Sequence, residues 1–264
     1  MLGPRKSRRP PPRRRPKPPA GPGAAAPIGA QFDMTARVLF RDPRLLILDK
    51  PAGLPVHAGP RGGATLVDHL DALRFGYQER PQLAHRLDRD TSGCLVLGRN
   101  RKALQRLGRL FSEGRVEKTY WAVTLGAPAE DSGRIDLPLA KLNAVKGWRM
   151  IAGPGGQPAV TEWRVLGRGG GLAWIECRPL TGRTHQIRVH LAEIGCPILG
   201  DPLYGPRSGE SRSRPLHLHA RRILLPLDPA RAPVVAEAPL PAALQPAFAA
   251  CGWREQPTEE DPQR

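Results

Sequence analysis

Paired cysteines, acidic residues and long apolar runs are all scarce in this chain. Cys94, Cys177, Cys196 and Cys251 are widely spaced, with no C-x-x-C pair. That argues against a disulfide framework or a zinc site and for reduced thiols in the cytoplasm. No apolar stretch reaches membrane-spanning length, and Ile223-Leu224-Leu225 only begins a short run. The first residues are basic but lack the apolar centre of a secretion signal, so export is not expected. Acidic residues number 24 against 41 lysines and arginines, giving a formal net charge of +17 over 264 residues. What remains is a soluble intracellular protein with a polyanionic partner. Without amphipathic anchors, nucleic acid is a better fit than an anionic membrane.

The abundances are as uneven as the absences. Of the 31 prolines, many fall in the first thirty residues, where they alternate with Arg and Lys and where no acidic or aromatic residue occurs. Such a segment cannot bury enough apolar surface to offset its ordering entropy, so residues 1–33 are expected to form a disordered Pro/Arg-rich tail. The first thirty residues carry eight positive charges and no negative one, which leaves +9 on the remainder, so the folded part is basic in its own right. A single domain is expected over 34–252, followed by a polar tail over 253–264. Nothing in the sequence calls for more than a monomer.

Periodicity predicts strands at 37–40 and 45–48 around the turn Arg41-Asp42-Pro43-Arg44. It predicts a helix over 66–75 with Leu66, Leu70 and Leu73 inward, and a buried strand at 94–97. A second helix, 101–111, would place Leu104, Leu107 and Phe111 on the core and Lys102, Arg106 and Arg109 outside. Residues 116–125 alternate, with Trp121, Val123 and Leu125 facing one way and Lys118, Tyr120 and Ala122 the other. A hairpin is expected around Gly169-Gly170-Gly171, then a helix from Thr184 as N-cap to Gly195, with Arg188 off its apolar stripe. Leu224 to Leu227 and Ile198 to Leu199 would line either the core or a pocket. The irregular order of strands and helices indicates α+β with mainly antiparallel pairing.

Chemistry concentrates in His85-Arg86-Leu87-Asp88-Arg89-Asp90-Thr91-Ser92-Gly93. This polar, glycine-ended turn holds a carboxylate between two arginines immediately before a buried strand. A loop of that kind suits a nucleophile that must stay ionised beside a polyanion. Two further blocks accompany it: Lys50-Pro51-Ala52-Gly53-Leu54-Pro55-Val56-His57, and Pro179-Leu180-Thr181-Gly182-Arg183-Thr184-His185-Gln186-Ile187-Arg188-Val189-His190, the latter followed by Gly200-Asp201-Pro202-Leu203-Tyr204-Gly205. In order and wording these resemble the RluA family of RNA pseudouridine synthases over roughly residues 38–227.

The resemblance implies the pseudouridine synthase fold, a mixed and mainly antiparallel sheet in two halves with a central catalytic cleft. It implies an isomerase that turns uridine in ribosomal or transfer RNA into pseudouridine by base flipping, without cofactor. Carried residue by residue, it makes Asp88 the nucleophile, at C1′ of the ribose or C6 of the uracil. Tyr120 becomes the ring that stacks on the uracil and assists loss of the C5 proton, and Arg188 the arginine partner of the carboxylate. Arg86 would fill the space left by the flipped base, Arg183 would contact phosphate and Thr91 would shape the turn. Asp90 is a bystander. Several family members carry an S4 RNA-binding domain before the core, where this sequence has only the basic tail. Two other classes fit less well: an idle RNA-binding protein of this fold, disfavoured because Asp88, Tyr120 and Arg188 are all present, and a metal-dependent nuclease, disfavoured for want of paired carboxylates at an obvious metal spacing. His85, His185, His190, His217 and His219 show no metal-ligand spacing, and no metal is expected.

Overall fold

Apolar runs without polar alternation belong at the centre of a sheet covered on both faces, and two such runs lie side by side here. The computed structural model describes residues 32–59, 62–144, 147–206, 209 and 213–255. In it, β2 (Leu45–Lys50) and β4 (Ser92–Gly98) are buried throughout and pair antiparallel, with Leu48 opposite Leu95. β1 (Val38–Arg41) closes the edge against β2, and the short β3 (Gln82–Leu83) adds to β4. The predicted helix after β2 has tightened into a 3-10 helix, Leu66–Leu73, with a Thr65–Asp68 capping box; Leu66, Leu70 and Leu73 face inward as the spacing required. The long loop around it packs on one face of this half. On the other face lies α1 (Arg101–Ser112), which buries Leu107 and Leu110 while Leu104 and Phe111 flank them. Its Lys102, Arg106 and Arg109 are exposed, as expected.

The second half comprises β5 (Glu117–Leu125), β6 (Ser132–Asp136), β9 (Val160–Gly169) and β10 (Leu172–Pro179). The alternation in β5 holds: Trp121, Val123 and Leu125 pack with Phe248 of α3 (Gln245–Ala250), and Tyr120 and Ala122 pack on the opposite side. β7 (Leu139–Ala144) and β8 (Gly147–Ala152) form a separate ribbon. α2 (Gln186–Glu193) lies between the sheet and that ribbon, so Gln186 to Leu191 are all buried. The expected one-sided stripe is therefore covered on its other side as well, where Val189 packs with Met150 and Ala152. The helix begins one residue late. Its N-cap is His185, at φ +55°, not Thr184, while Gly195 ends it at φ +77° as expected.

β11 (Leu218–Leu225) joins the halves, antiparallel to β5 and parallel to β4, and β12 (Val234–Glu237) pairs with β11. Among the described residues the sheet has ten strands, with main order β1-β2-β4-β11-β5-β10-β9-β6 and every pairing antiparallel except β4 with β11. The architecture is α+β, mixed and mainly antiparallel, in two halves. Periodicity missed β6 to β8 because their residues neither alternate cleanly nor form an unbroken apolar run. It missed β11 because a register shift between His219 and Arg222 interrupts its alternation. Residues 1–31 of the expected N-terminal tail and 256–264 of the expected C-terminal one lie outside the described residues. Phe32 packs on the first core cluster, and Trp253 packs on the cluster around Phe248.

At the parallel junction Gly93 stands opposite Ala220 at φ +105°, and a Cβ there would lie 2.3 Å from the Ala220 carbonyl oxygen. Only glycine permits that approach. Beside it the Ser92 hydroxyl and the Nδ1 of buried His219 are 2.8 Å apart, while Nε2 lies 3.2 Å from the Ala238 carbonyl. Burial pulls the His219 pKa down to about 4, and burial followed by the charge of Lys118 pulls His85 to about 3. Both rings stay neutral in the fold at pH values where unfolded imidazoles, near 6.5, take up protons. Stability is then complete above about pH 6.5 and is lost on acidification, by up to about 1.4 kcal/mol per pH unit for each ring. Urea midpoints measured from pH 7 down to 5 are expected to fall steadily; a flat series would contradict the buried neutral histidines.

Candidate active site

The turn before β4 is held from beneath. Lys50, fully buried, donates from Nζ to the carbonyls of Pro51, Leu54 and Arg89 at 2.8, 2.9 and 2.9 Å. Burial lowers its pKa to about 7, against the opposing pull of Asp90, Asp88 and Asp49. The Gly53 N–H also donates to the Arg89 carbonyl, at 2.9 Å. His85 accepts the Val96 N–H on Nε2 at 3.0 Å and stacks on Phe111, and Leu87 enters the core. With its neighbours tied inward, Asp88 is left to project across the cleft towards α2.

Arg188 meets it there. The Arg188 Nη1 stands 3.3 Å from Asp88 Oδ2, while Nε and Nη2 donate to Asp201 Oδ2 and Oδ1 at 2.7 and 2.8 Å. The Asp201 side chain has no exposed surface, and it also accepts the N–H groups of Leu203 and Tyr204. Burial alone would raise the Asp201 pKa; hydrogen bonds and charge from Arg188, with the two N–H groups, bring it below the ordinary carboxylate range. Arg188 is correspondingly raised despite its own burial. One guanidinium is thus clamped by a buried carboxylate and presents its remaining donor to a partly exposed one.

His185 completes this side. Its Nε2 lies 3.7 Å from Asp88 Oδ2, and its Nδ1 lies 2.8 Å from the Tyr204 hydroxyl, which also accepts the Met150 N–H at 3.0 Å. Burial lowers the His185 pKa, so the ring is neutral beside the carboxylate. The hydroxyl already accepts from Met150, so its own proton is best used towards Nδ1, which places the imidazole proton on Nε2, facing Asp88.

Asp88, Tyr120, Arg188, Arg86, Thr91 and Arg183 all line one hollow of about 560 Å³. Tyr120 is half-buried on the sheet side of it, its phenol raised above the ordinary range by burial and by the charge of Asp88. Arg86 is exposed and hydrogen-bonds the Thr184 hydroxyl. Arg183 is exposed at the rim and donates from Nε to the Pro158 carbonyl at 3.0 Å. Thr91 donates its N–H to the Asp88 carbonyl at 3.2 Å, and its buried hydroxyl has no partner among the described residues. Asp90 is engaged by Arg89 through bonds of 2.9 and 3.0 Å and does not line this hollow.

Sequence reasoning missed Asp201, Tyr204, Lys50 and Lys118. The first three stood inside quoted blocks, but pairing across the fold assigns their tasks. Lys118 shares the inward face of β5 with Tyr120, so the alternation could have found it. Its Nζ donates to the Thr181 carbonyl at 3.1 Å, and burial lowers its pKa to about 8. Ile198, Leu199, Leu225 and Leu227 are core, whereas Leu218 is the β11 residue that lines the hollow. His190 lies between Thr161 and the Leu137 carbonyl, and His217 contacts the Pro215 carbonyl. Among the described residues no group of three or more His, Cys, Asp or Glu side chains could hold a metal ion.

The family described as RNA pseudouridylate synthase matches residues 44–193. An RNA pseudouridine synthase of Zymomonas mobilis is 48% identical over 213 residues, 80% of this chain and 96% of its own. A mitochondrial pseudouridylate synthase of Xenopus tropicalis is 34% identical over 253 residues, 79% of this chain and 78% of its own. The solved structure of human RNA pseudouridylate synthase domain containing 4 is similar at a TM-score of 0.70 and 29% identity, covering 83% of this chain and 94% of that one.

Proposed function

Because the chain belongs to the RNA pseudouridylate synthase family, and so is an isomerase of uridine in RNA, we propose that it acts on a specific uridine of ribosomal or transfer RNA with Asp88 as nucleophile. The observation that carries the assignment is the Arg188 guanidinium, clamped by buried Asp201 and aimed at Asp88 from 3.3 Å. Such a partner favours and orients a carboxylate.

A stacked base cannot react, so the uridine is turned out into the hollow, at an unstacking cost of a few kcal/mol. Exposed Arg86 stands at the mouth to occupy the place it leaves, and Arg183 is available to phosphate. Asp88 then bonds C1′ as the N1–C1′ bond breaks and uracil departs with the electron pair, or it adds to C6 first. The detached base turns, C5 bonds to C1′, the carboxylate is released, and the C5 proton passes to solvent while N1 regains one. Nothing is oxidised or reduced, and the step needs no metal or cofactor.

Tyr120 offers its ring to the uracil. Its phenol is held protonated by burial and by the negative charge of Asp88. When Asp88 becomes an ester that charge disappears, and the phenol becomes easier to deprotonate at the stage where the C5 proton must leave.

Among the described residues no helix is long and apolar enough to cross a membrane. The four cysteines are buried free thiols, as expected of a protein kept in a reducing compartment. The direct test is incubation with cellular RNA carrying tritium at uridine C5. The protein is expected to release the label to water; none released from total RNA would defeat the enzymatic reading.

A further inference from the structure

Behind the wall made by Arg86, Asp88, His185 and Arg188 lies a second hollow, of about 580 Å³, which shares those residues with the first. Trp148 and Leu203 line its outer part, and each is 46% exposed. The Trp148 ring stacks on the His185 imidazole at 5.3 Å between centroids and 19° between planes. Its strand is anchored rather than loose, because Met150 donates its N–H to Tyr204 and packs with Val189 of α2. The Lys141 ammonium stands 5.3 Å from the ring centroid, and exposed Arg86 lies at the boundary between the hollows.

We propose that Trp148 is a stacking plate for an unpaired nucleobase next in sequence to the uridine being isomerised. The inference rests on the isomerase reading and adds to it the part of the site that senses the neighbouring nucleotide. An aromatic face set between cations matches a base flanked by phosphates, because stacking holds the base while ammonium and guanidinium hold the backbone. The second hollow shares Asp88 with the first, so the nucleotide next in sequence to the one in the first is its nearest candidate occupant. A base on this face replaces the Lys141 cation over the ring and leaves that ammonium at phosphate range. The geometry favours RNA over a protein segment, since exposed Arg86 stands between the hollows and Lys141 stands beside the ring.

The test uses the full-length protein and a fluorescein-labelled single-stranded RNA dodecamer containing one uridine. Matched oligomers carry an abasic ribose immediately before or after that uridine. For the unsubstituted protein, removing one of the two flanking bases is expected to weaken binding about 10-fold or more. Trp148→Ala is expected to bind the intact oligomer as weakly as the unsubstituted protein binds the abasic one, and to be indifferent to the abasic change. Trp148→Phe is expected to stay within a few-fold of the unsubstituted protein. If Trp148→Ala and the abasic change weaken binding independently, or neither flanking base matters, the plate is wrong. Loss of turnover with binding unchanged in Trp148→Ala would assign the ring to holding His185 and likewise overturn it. Binding is read without turnover, so the expected pattern in a protein that releases no tritium would defeat the isomerase reading alone.

Discussion

Asp88→Asn is expected to remove tritium release from C5-labelled RNA, with a loss on the order of 10⁴-fold or more, while changing RNA affinity by no more than about twofold. The amide fills the same space and can keep a contact with the Arg188 guanidinium, so the fold and the basic wall survive. What it lacks is the anionic oxygen that bonds carbon. Single-turnover release and equilibrium binding on the same preparation check both halves. Binding lost together with release, at an unchanged melting temperature, would make Asp88 a recognition residue and move the nucleophile elsewhere. Asp90→Asn is the internal control, because its carboxylate is engaged by Arg89 outside the hollow; release is expected to stay within a few-fold.

Asp201→Ala is expected to have the largest effect on stability, about 3–5 kcal/mol, because it leaves the buried Arg188 guanidinium facing only a partly exposed carboxylate. Urea unfolding at pH 7 measures it. The milder Asp201→Asn keeps the shape but removes the charge, and should lower turnover more than RNA affinity by loosening the hold on Arg188. The pH dependence has a defined sign. Asp201 ionises more readily in the fold than in the unfolded chain, so its contribution is complete above the unfolded value, near pH 4, and is lost as pH falls through the lower folded value. A variant as stable as the parent at pH 7 would show that Arg188 is held by other groups.

Much of the fold was legible because the core elements repeat strongly. Leu45 to Leu48 and Cys94 to Leu97 are solid apolar runs, β5 alternates cleanly, and the spacing of Leu66, Leu70 and Leu73 marks a helical segment though not its pitch. Thr184 is not the cap, because the helix starts one residue later with His185 at φ +55° as its N-cap, and the Thr184 hydroxyl instead meets Arg86, 98 residues away. α2 was misread as one-sided because the β7–β8 ribbon that covers its second face has no core-like pattern of its own. Trp148 sits on that ribbon, and no local signal distinguishes it from an ordinary exposed tryptophan.

The sequence by itself determined the chemistry on offer: a carboxylate among arginines in a short turn, a tyrosine on the inward face of a strand, an arginine off the stripe of a helix, and a basic surface for an anionic partner. Each is a property of near neighbours along the chain, where spacing and residue type settle which way a side chain leaves the backbone. Only the tertiary structure decided that Arg188 is gripped by Asp201 and shared with Asp88, that Lys50 ties the Asp88 turn from below, and that a second hollow opens beside Trp148. Of those contacts, the one between Arg188 and Asp88 spans the two halves of the sheet, which meet where β11 pairs with β4 on one side and β5 on the other. Hydrogen bonds and ion pairs act over a few ångströms, so their partners are set by where the two halves of the sheet meet and not by any pattern along the chain.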